Sequence, residues 1–211
     1  MNASPLRHLL LCLALGVLAP GQAAESPVGT IVFFGDSLTA GYGLIDPSAD
    51  AFPAVIQTKI EEAHLPWRVV NAGLSGETTA GGLRRVDWIL RQPVDIFVLA
   101  LGANDGLRGI PPDVSRRNLE QILEHVRARY PAAKLVMTGM QMPRQMGSGF
   151  SAAFGKIFSA VAEKYGTALV PFLLDGVGGR VELNQGDRIH PNPAGHALVA
   201  ENVWAVLRPL L

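Results

Sequence analysis

A three-layer α/β/α sandwich built on a parallel sheet is the fold this sequence predicts, and three observations predict it. Short β-rich runs alternate with longer segments of helical period. The strongest of these runs, residues 95–101, is continuously apolar from Ile96 to Leu101, as a strand covered on both faces has to be. Glycine stands beside polar residues where three of the runs end, at Gly35-Asp36-Ser37, at residues 73–76 and at Gly102-Ala103-Asn104. Open parallel sheets bind ligands beyond the carboxyl ends of their strands, because loops and helix N-termini converge there.

Taken in order, the first strand covers residues 30–34 and stops at Gly35, with a nucleophilic hydroxyl two positions later. Residues 51–64 form a helix whose Phe52, Val55, Ile56 and Ile60 recur at three- and four-residue spacings. The second strand, residues 68–71, is entered through Pro66-Trp67 and leaves into a glycine-bearing loop over residues 72–79. Thr78 or Thr79 caps the following helix, which carries Leu83, Val86, Ile89 and Leu90.

After the third strand, residues 95–101, comes a loop over residues 103–109, and Pro111-Pro112 opens a helix reaching about Tyr130. Its Leu119, Ile122, Leu123 and Val126 face inward, while Arg116, Arg117, Glu120, Glu124 and Arg127 face outward. Residues 134–138 are the fourth strand and residues 140–149 a loop rich in Met and Gly. A helix bearing Phe154, Ile157, Phe158 and Val161 follows, and residues 168–172 form the fifth strand. An irregular stretch, residues 173–187, leads to His190, and a last helix spans residues 193–207. Five strands with interleaved helices give the three layers, though not the strand order.

The N-terminus has a different composition. Arg7 and His8 precede an apolar run over residues 9–18, and Pro20-Gly21 leads into Gln22-Ala23-Ala24. This is the pattern of a secretory signal over residues 1–24, with residues 25–211 as a single domain. The run is short for a membrane span. Removing the segment takes away Cys12, the only cysteine, and so excludes a disulfide or a thiol nucleophile. The 18 basic and 18 acidic residues become 17 and 18 once Arg7 is gone, a formal net charge of −1. No basic excess points to nucleic acid. The expected location is the periplasm or the extracellular medium, and the expected state a monomer.

Four polar clusters fall at the carboxyl edge of such a sheet: the three glycine-bearing strand ends and Asp187-Arg188-Ile189-His190-Pro191. Acyl transfer requires a hydroxyl, a base, a group orienting that base and donors facing the developing oxyanion. Ser37 supplies the hydroxyl. Of the five histidines, His8 lies in the signal, His64 and His125 in amphipathic helices and His196 in the last helix, so His190 is the base and Asp187 its orienter. Gly76 offers a backbone N–H and Asn104 a side-chain amide. Taken singly, Gly-Asp-Ser also serves as a helix cap, Asp-x-x-His as a helix entry, and Gly76 or Asn104-Asp105-Gly106 as turns.

In combination, Gly35-Asp36-Ser37-Leu38, Gly76, Gly102-Ala103-Asn104-Asp105 and Asp187-x-x-His190 resemble, in order, the four blocks of the SGNH (GDSL) hydrolase family. The similarity is greatest to the periplasmic multifunctional acyl-CoA thioesterase, lysophospholipase and arylesterase group of Gram-negative bacteria. The resemblance implies a flavodoxin-like sandwich with strand order 2-1-3-4-5 and a Ser37-His190-Asp187 triad. It also implies an oxyanion hole made by the Ser37 and Gly76 backbone N–H groups and the Asn104 side chain, with no metal and no cofactor. Ala103 departs from the second glycine common in the family, which leaves the turn geometry open.

The expected substrate is a small-molecule acyl ester or thioester, with transient contact to lipid substrates. Leu107, Arg108, Met142 and Pro143 are candidate substrate-binding residues. Met140, Met146, Phe172, Leu173, Leu174 and Val177 either border the same edge or belong to the core. Two alternatives stay open: a carbohydrate O-deacetylase of the same family, and a non-catalytic flavodoxin-like binding module.

Overall fold

The computed structural model describes residues 28–211, so the expected signal segment lies outside the described residues. Five strands, β1 (Gly29–Gly35), β2 (Trp67–Gly73), β3 (Ile96–Ala100), β4 (Lys134–Thr138) and β5 (Ala168–Val170), form one parallel sheet in the order β2-β1-β3-β4-β5. The strand order is the one the family resemblance implies. Every residue of β3 is buried, as its unbroken apolar run requires.

Among the described residues eight α-helices surround the sheet: α1 (Ser37–Ala40), α2 (Pro47–Asp50), α3 (Phe52–Glu62), α4 (Thr79–Ile89), α5 (Ala103–Leu107), α6 (Pro112–Arg129), α7 (Ser148–Tyr165) and α8 (Pro193–Leu207). α3 packs on α8 to make one layer, and α4, α6 and α7 pack in succession to make the other. Alternation along β1 divides the core between the layers. Phe33 meets Phe52 of α3 edge to face at 5.5 Å, while Phe34 lies beneath the Arg85 guanidinium of α4 at 4.1 Å.

Several element boundaries differ from the sequence expectation. β2 starts one residue earlier, at Trp67, and runs two residues further, to Gly73, because Ala72 and Gly73 continue the register with Phe34 and Gly35. β5 ends at Val170, where Pro171 has no N–H to continue a ladder. The stretch 103–109, expected as loop, contains α5, and its Asp105 is buried, accepting from the Thr79 N–H at 2.8 Å and from the Ser115 hydroxyl at 3.0 Å. Side-chain anchoring of this kind leaves no periodic signal in five residues. α7 begins at Ser148, within the expected loop, and His64 lies past the end of α3 with φ 51°. Thr78, of the two candidate threonines, caps α4 by accepting from the Gly81 N–H.

Candidate active site

The turn from β1 into α1 is tightly determined. Gly35 stands where a Cβ would collide with the Thr39 side chain and come 2.8 Å from the Ala100 carbonyl, so only glycine lets the chain leave the strand here. Asp36 then caps α1, its Oδ1 accepting the Leu38 N–H at 3.0 Å. Ser37 becomes the first helical residue, and its N–H is one of the donors that a helix N-terminus leaves without an intrahelical acceptor.

The loop between β5 and α8 brings the other half of the site. Ser37 Oγ lies 2.9 Å from His190 Nε2, and His190 Nδ1 lies 2.5 Å from Asp187 Oδ2. The second Asp187 oxygen accepts the N–H groups of Ile189 at 2.9 Å and His190 at 3.0 Å. Desolvation pushes this carboxyl up, but the imidazole hydrogen bond, the two backbone N–H groups and the His190 charge outweigh it and hold the group at about 2. An ionised Asp187 only accepts, so Nδ1 carries a proton, and in the neutral imidazole Nε2 is left to accept from the Ser37 hydroxyl.

Two further residues hold this loop, Gln185 and Tyr42, neither of which is a candidate from the sequence. Gln185 donates its backbone N–H to the His190 carbonyl at 2.7 Å and its side-chain amide to the carbonyls of Tyr42 at 2.7 Å and Pro191 at 3.0 Å. The Tyr42 ring lies 4.8 Å from the His190 imidazole, centre to centre. The only sequence signal was the placement of Tyr42 between Gly41 and Gly43, five residues after Ser37.

Gly76 and Asn104 approach from the β2–α4 loop and from α5. Gly76 has φ 79°, a conformation glycine adopts without a Cβ penalty, and its N–H has no backbone acceptor among the described residues. Asn104 donates one amide hydrogen to the Glu77 carbonyl at 3.0 Å, which orients the amide and leaves its other hydrogen available. Arg108 donates to the Gly76 carbonyl at 3.1 Å, tying the two segments together. The sharp turn out of β3 is taken by Gly102, at φ 126°, whereas Ala103 has a negative φ as the first residue of α5. A methyl group at position 103 therefore costs the turn nothing.

The surroundings of the remaining titratable groups are unequal. Burial pushes the Asp36 carboxyl up to about 7, with the Leu38 N–H opposing and the nearby Asp105 and Glu77 charges adding to the rise. His196 is buried, accepts the Phe52 N–H on Nδ1 at 3.2 Å, and is pushed down to about 4 by burial, with the His190 charge adding to the fall. It is a neutral core histidine.

The candidate substrate contacts separate in the same way. Leu107 is 45% exposed, and Arg108 and Pro143 are exposed. Met142 is buried, packed so closely on α5 that a Cβ at Gly106 would run into its thioether. Met140, Leu173 and Val177 are core residues, while Met146, Phe172 and Leu174 are half-buried against that core. Two further apolar side chains, Leu74 and Ile189, are exposed on the loops that carry Gly76 and His190.

Residues 33–198 match the GDSL-like lipase/acylhydrolase family. The esterase TesA of Pseudomonas aeruginosa is 40% identical over 209 residues, covering 98% of this chain and all of that one. Thioesterase 1/protease 1/lysophospholipase L1 of Escherichia coli K12 is 34% identical, covering 86% of this chain and 85% of that one. The crystal structure of TesA superposes with a TM-score of 0.81 at 41% identity, covering 86% of this chain and 99% of that one. With a family match that takes in most of the sheet and both halves of the site, and with relatives this similar along their length, the chain belongs to the GDSL-like lipase/acylhydrolase family.

Proposed function

We propose that this chain is a serine esterase and thioesterase that hydrolyses aryl esters, acyl thioesters and lysophospholipids. The single observation that carries the reading is the relay from Ser37 Oγ through the two His190 nitrogens to an ionised Asp187, at 2.9 Å and 2.5 Å. The names of the relatives, an esterase and a thioesterase/lysophospholipase, support the substrate class.

In the first step His190 Nε2 takes the Ser37 proton as Oγ attacks the carbonyl carbon, and the carbonyl electron pair moves onto its oxygen. The Ser37 and Gly76 N–H groups and the free Asn104 amide hydrogen receive that oxyanion. Asp187 keeps the imidazolium oriented and stabilised. The oxyanion then collapses, the bond to the alcohol or thiol breaks, and the imidazolium gives that leaving group its proton. Water repeats the sequence on the acyl-enzyme, releasing the acid and restoring Ser37. Leu107, Arg108 and Pro143 flank the acyl chain, and Met142 acts from beneath by supporting Gly106. We place the enzyme in the periplasm or outside the cell, as a monomer, after loss of residues 1–24.

A series of p-nitrophenyl esters of increasing acyl length, set beside the matching acyl-CoA thioesters, tests the substrate class. Turnover of both, extending past acetyl, is the expected result. Turnover of acetyl esters alone would replace this reading with that of an O-deacetylase, and no turnover of any ester by folded protein would remove the hydrolase reading.

A further inference from the structure

Arg85 of α4 occupies a position that neither the triad nor its capping explains. Its Nη2 donates to the carbonyl of Gly35 at 3.1 Å and to that of Ala72 at 2.9 Å, at the carboxyl ends of β1 and β2. Its Nε pairs with a Glu77 carboxylate oxygen, and its guanidinium lies over the Phe34 ring. The other Glu77 oxygen sits against Gly81, where any Cβ would collide with it. Side-chain exposure is 20% for Arg85 and 7% for Glu77. Burying an ion pair this thoroughly is costly, and replacing such a pair with apolar residues is often neutral or stabilising, so stability alone is a poor reason for it.

What the pair touches gives a better one. Gly35 lies two residues ahead of Ser37, Ala72 leads into the loop that carries Gly76, and the Glu77 carbonyl is the acceptor that orients the Asn104 amide. The Glu77 N–H closes the same loop onto the Leu74 carbonyl at 3.1 Å. One cation thus links the three backbone segments that carry or orient the three proposed oxyanion donors.

We propose that Arg85, clasped to Glu77, is a positioning residue that holds the Ser37 N–H, the Gly76 N–H and the Asn104 amide convergent on one point. The inference rests on the serine-hydrolase reading above. Arginine is required because a planar fork reaches two carbonyls and a carboxylate with its guanidinium carbon over an aromatic ring, whereas an ammonium on a flexible stem cannot hold all four contacts. A merely structural arginine would lower thermal stability and leave the turnover of the folded enzyme alone.

The test is a double-mutant cycle between Arg85→Lys and Asn104→Ala, with p-nitrophenyl butyrate as substrate and active sites counted by fluorophosphonate titration of the full chain. Arg85→Lys is expected to lower kcat about tenfold to hundredfold, the scale of a misplaced catalytic group, with KM changed by about twofold at most. The double variant should fall below Asn104→Ala by a smaller factor than Arg85→Lys falls below wild type, because the share of the loss that acts through the Asn104 amide is already gone while the Ser37 and Gly76 N–H groups remain. A kcat for Arg85→Lys within about twofold of wild type, or losses that multiply, would overturn the clasp. Where Arg85→Lys does not accumulate as folded protein, Glu77→Gln enters the same cycle with the same two outcomes. Wild-type protein that the fluorophosphonate does not modify would instead overturn the hydrolase reading, and the clasp with it.

Discussion

The turn after β1 and the loop before α8 each bring an aspartate to the Ser37–His190 pair, and the two carboxyls are held in opposite states. Asp36 is 1% exposed, caps α1, and is pushed up to about 7 by burial, with the Asp105 and Glu77 charges contributing. Asp187 is 39% exposed at its side chain and is held at about 2, because a histidine and two backbone N–H groups outweigh its desolvation. A carboxylate that is to orient an imidazole and stabilise its charged form has to be ionised and within reach of Nδ1. Asp187 meets both conditions; Asp36 turns its oxygen to a backbone N–H instead. Adjacency in sequence to the nucleophile is therefore a poor guide to membership of the relay.

The largest effect expected from this contrast is in turnover. Asp187→Asn should lower kcat by about 10⁴-fold, by presenting the wrong hydrogen-bonding partner to His190, with thermal stability close to wild type. Asp36→Asn keeps an acceptor at the cap and should leave kcat within about threefold. Equal losses in the two variants, measured by steady-state hydrolysis of one p-nitrophenyl ester, would break the comparison.

Asn104 sharpens it from outside either loop. Removing one oxyanion donor in Asn104→Ala should cost about a hundredfold in kcat or somewhat more, below the loss at Asp187 and above that at Asp36. A smaller loss than at Asp36 would take the amide out of the oxyanion hole.

A subtler effect is expected in the pH dependence of stability. The folded-state value of Asp36 is about 7 against an ordinary 3.8, so between about pH 4 and 7 the native protein holds a proton that the unfolded chain has released. The contribution of the protonated carboxyl is fully present below about pH 4 and is lost as pH rises through about 7. Asp187 has the opposite sign: its contribution is present above about pH 4 and is lost as pH falls toward about 2, reduced in size by its exposure. The Tm of wild type minus that of Asp36→Asn should therefore decline from pH 4 to 7, and a flat difference would show that Asp36 is ionised in the fold.

The smallest effect concerns the loop between these regions. Gly76→Ala meets no neighbour nearer than the Arg108 guanidinium at 3.9 Å, so its cost is the φ of 79° alone, about 1–2 kcal/mol in chemical denaturation. A larger loss would mean that the loop is held by contacts beyond its backbone conformation.

Much of this fold was readable in advance because its strands are written in local chemistry. The unbroken apolar run of β3 and the glycine stops at Gly35 and Gly102 mark strands and their exits without reference to distant residues. Ser37, Asp187, His190, Gly76 and Asn104 stand out for the same reason, since each lies where a strand or its loop ends. Other features were not readable because long-range partners determine them. α5 is anchored by Thr79 and Ser115, Tyr42 and Gln185 gain their roles only when the last loop folds back on the first turn, and Arg85 is one of fourteen arginines in the sequence until its carbonyl partners are seen. The methionines after β4 showed the limit of composition: Met140 and Met142 suit an acyl groove as well as a core, and packing against α5 puts Met142 in the core.

The central claim is that the Ser37 hydroxyl is the group the relay activates. Intact-mass measurement of the full chain after exposure to a fluorophosphonate tests it most directly. One added phosphonyl group is expected on wild type, recovered on the peptide containing Ser37, and none on a folded Ser37→Ala variant. Equal labelling of that variant, or a folded wild type that stays unmodified, would contradict it.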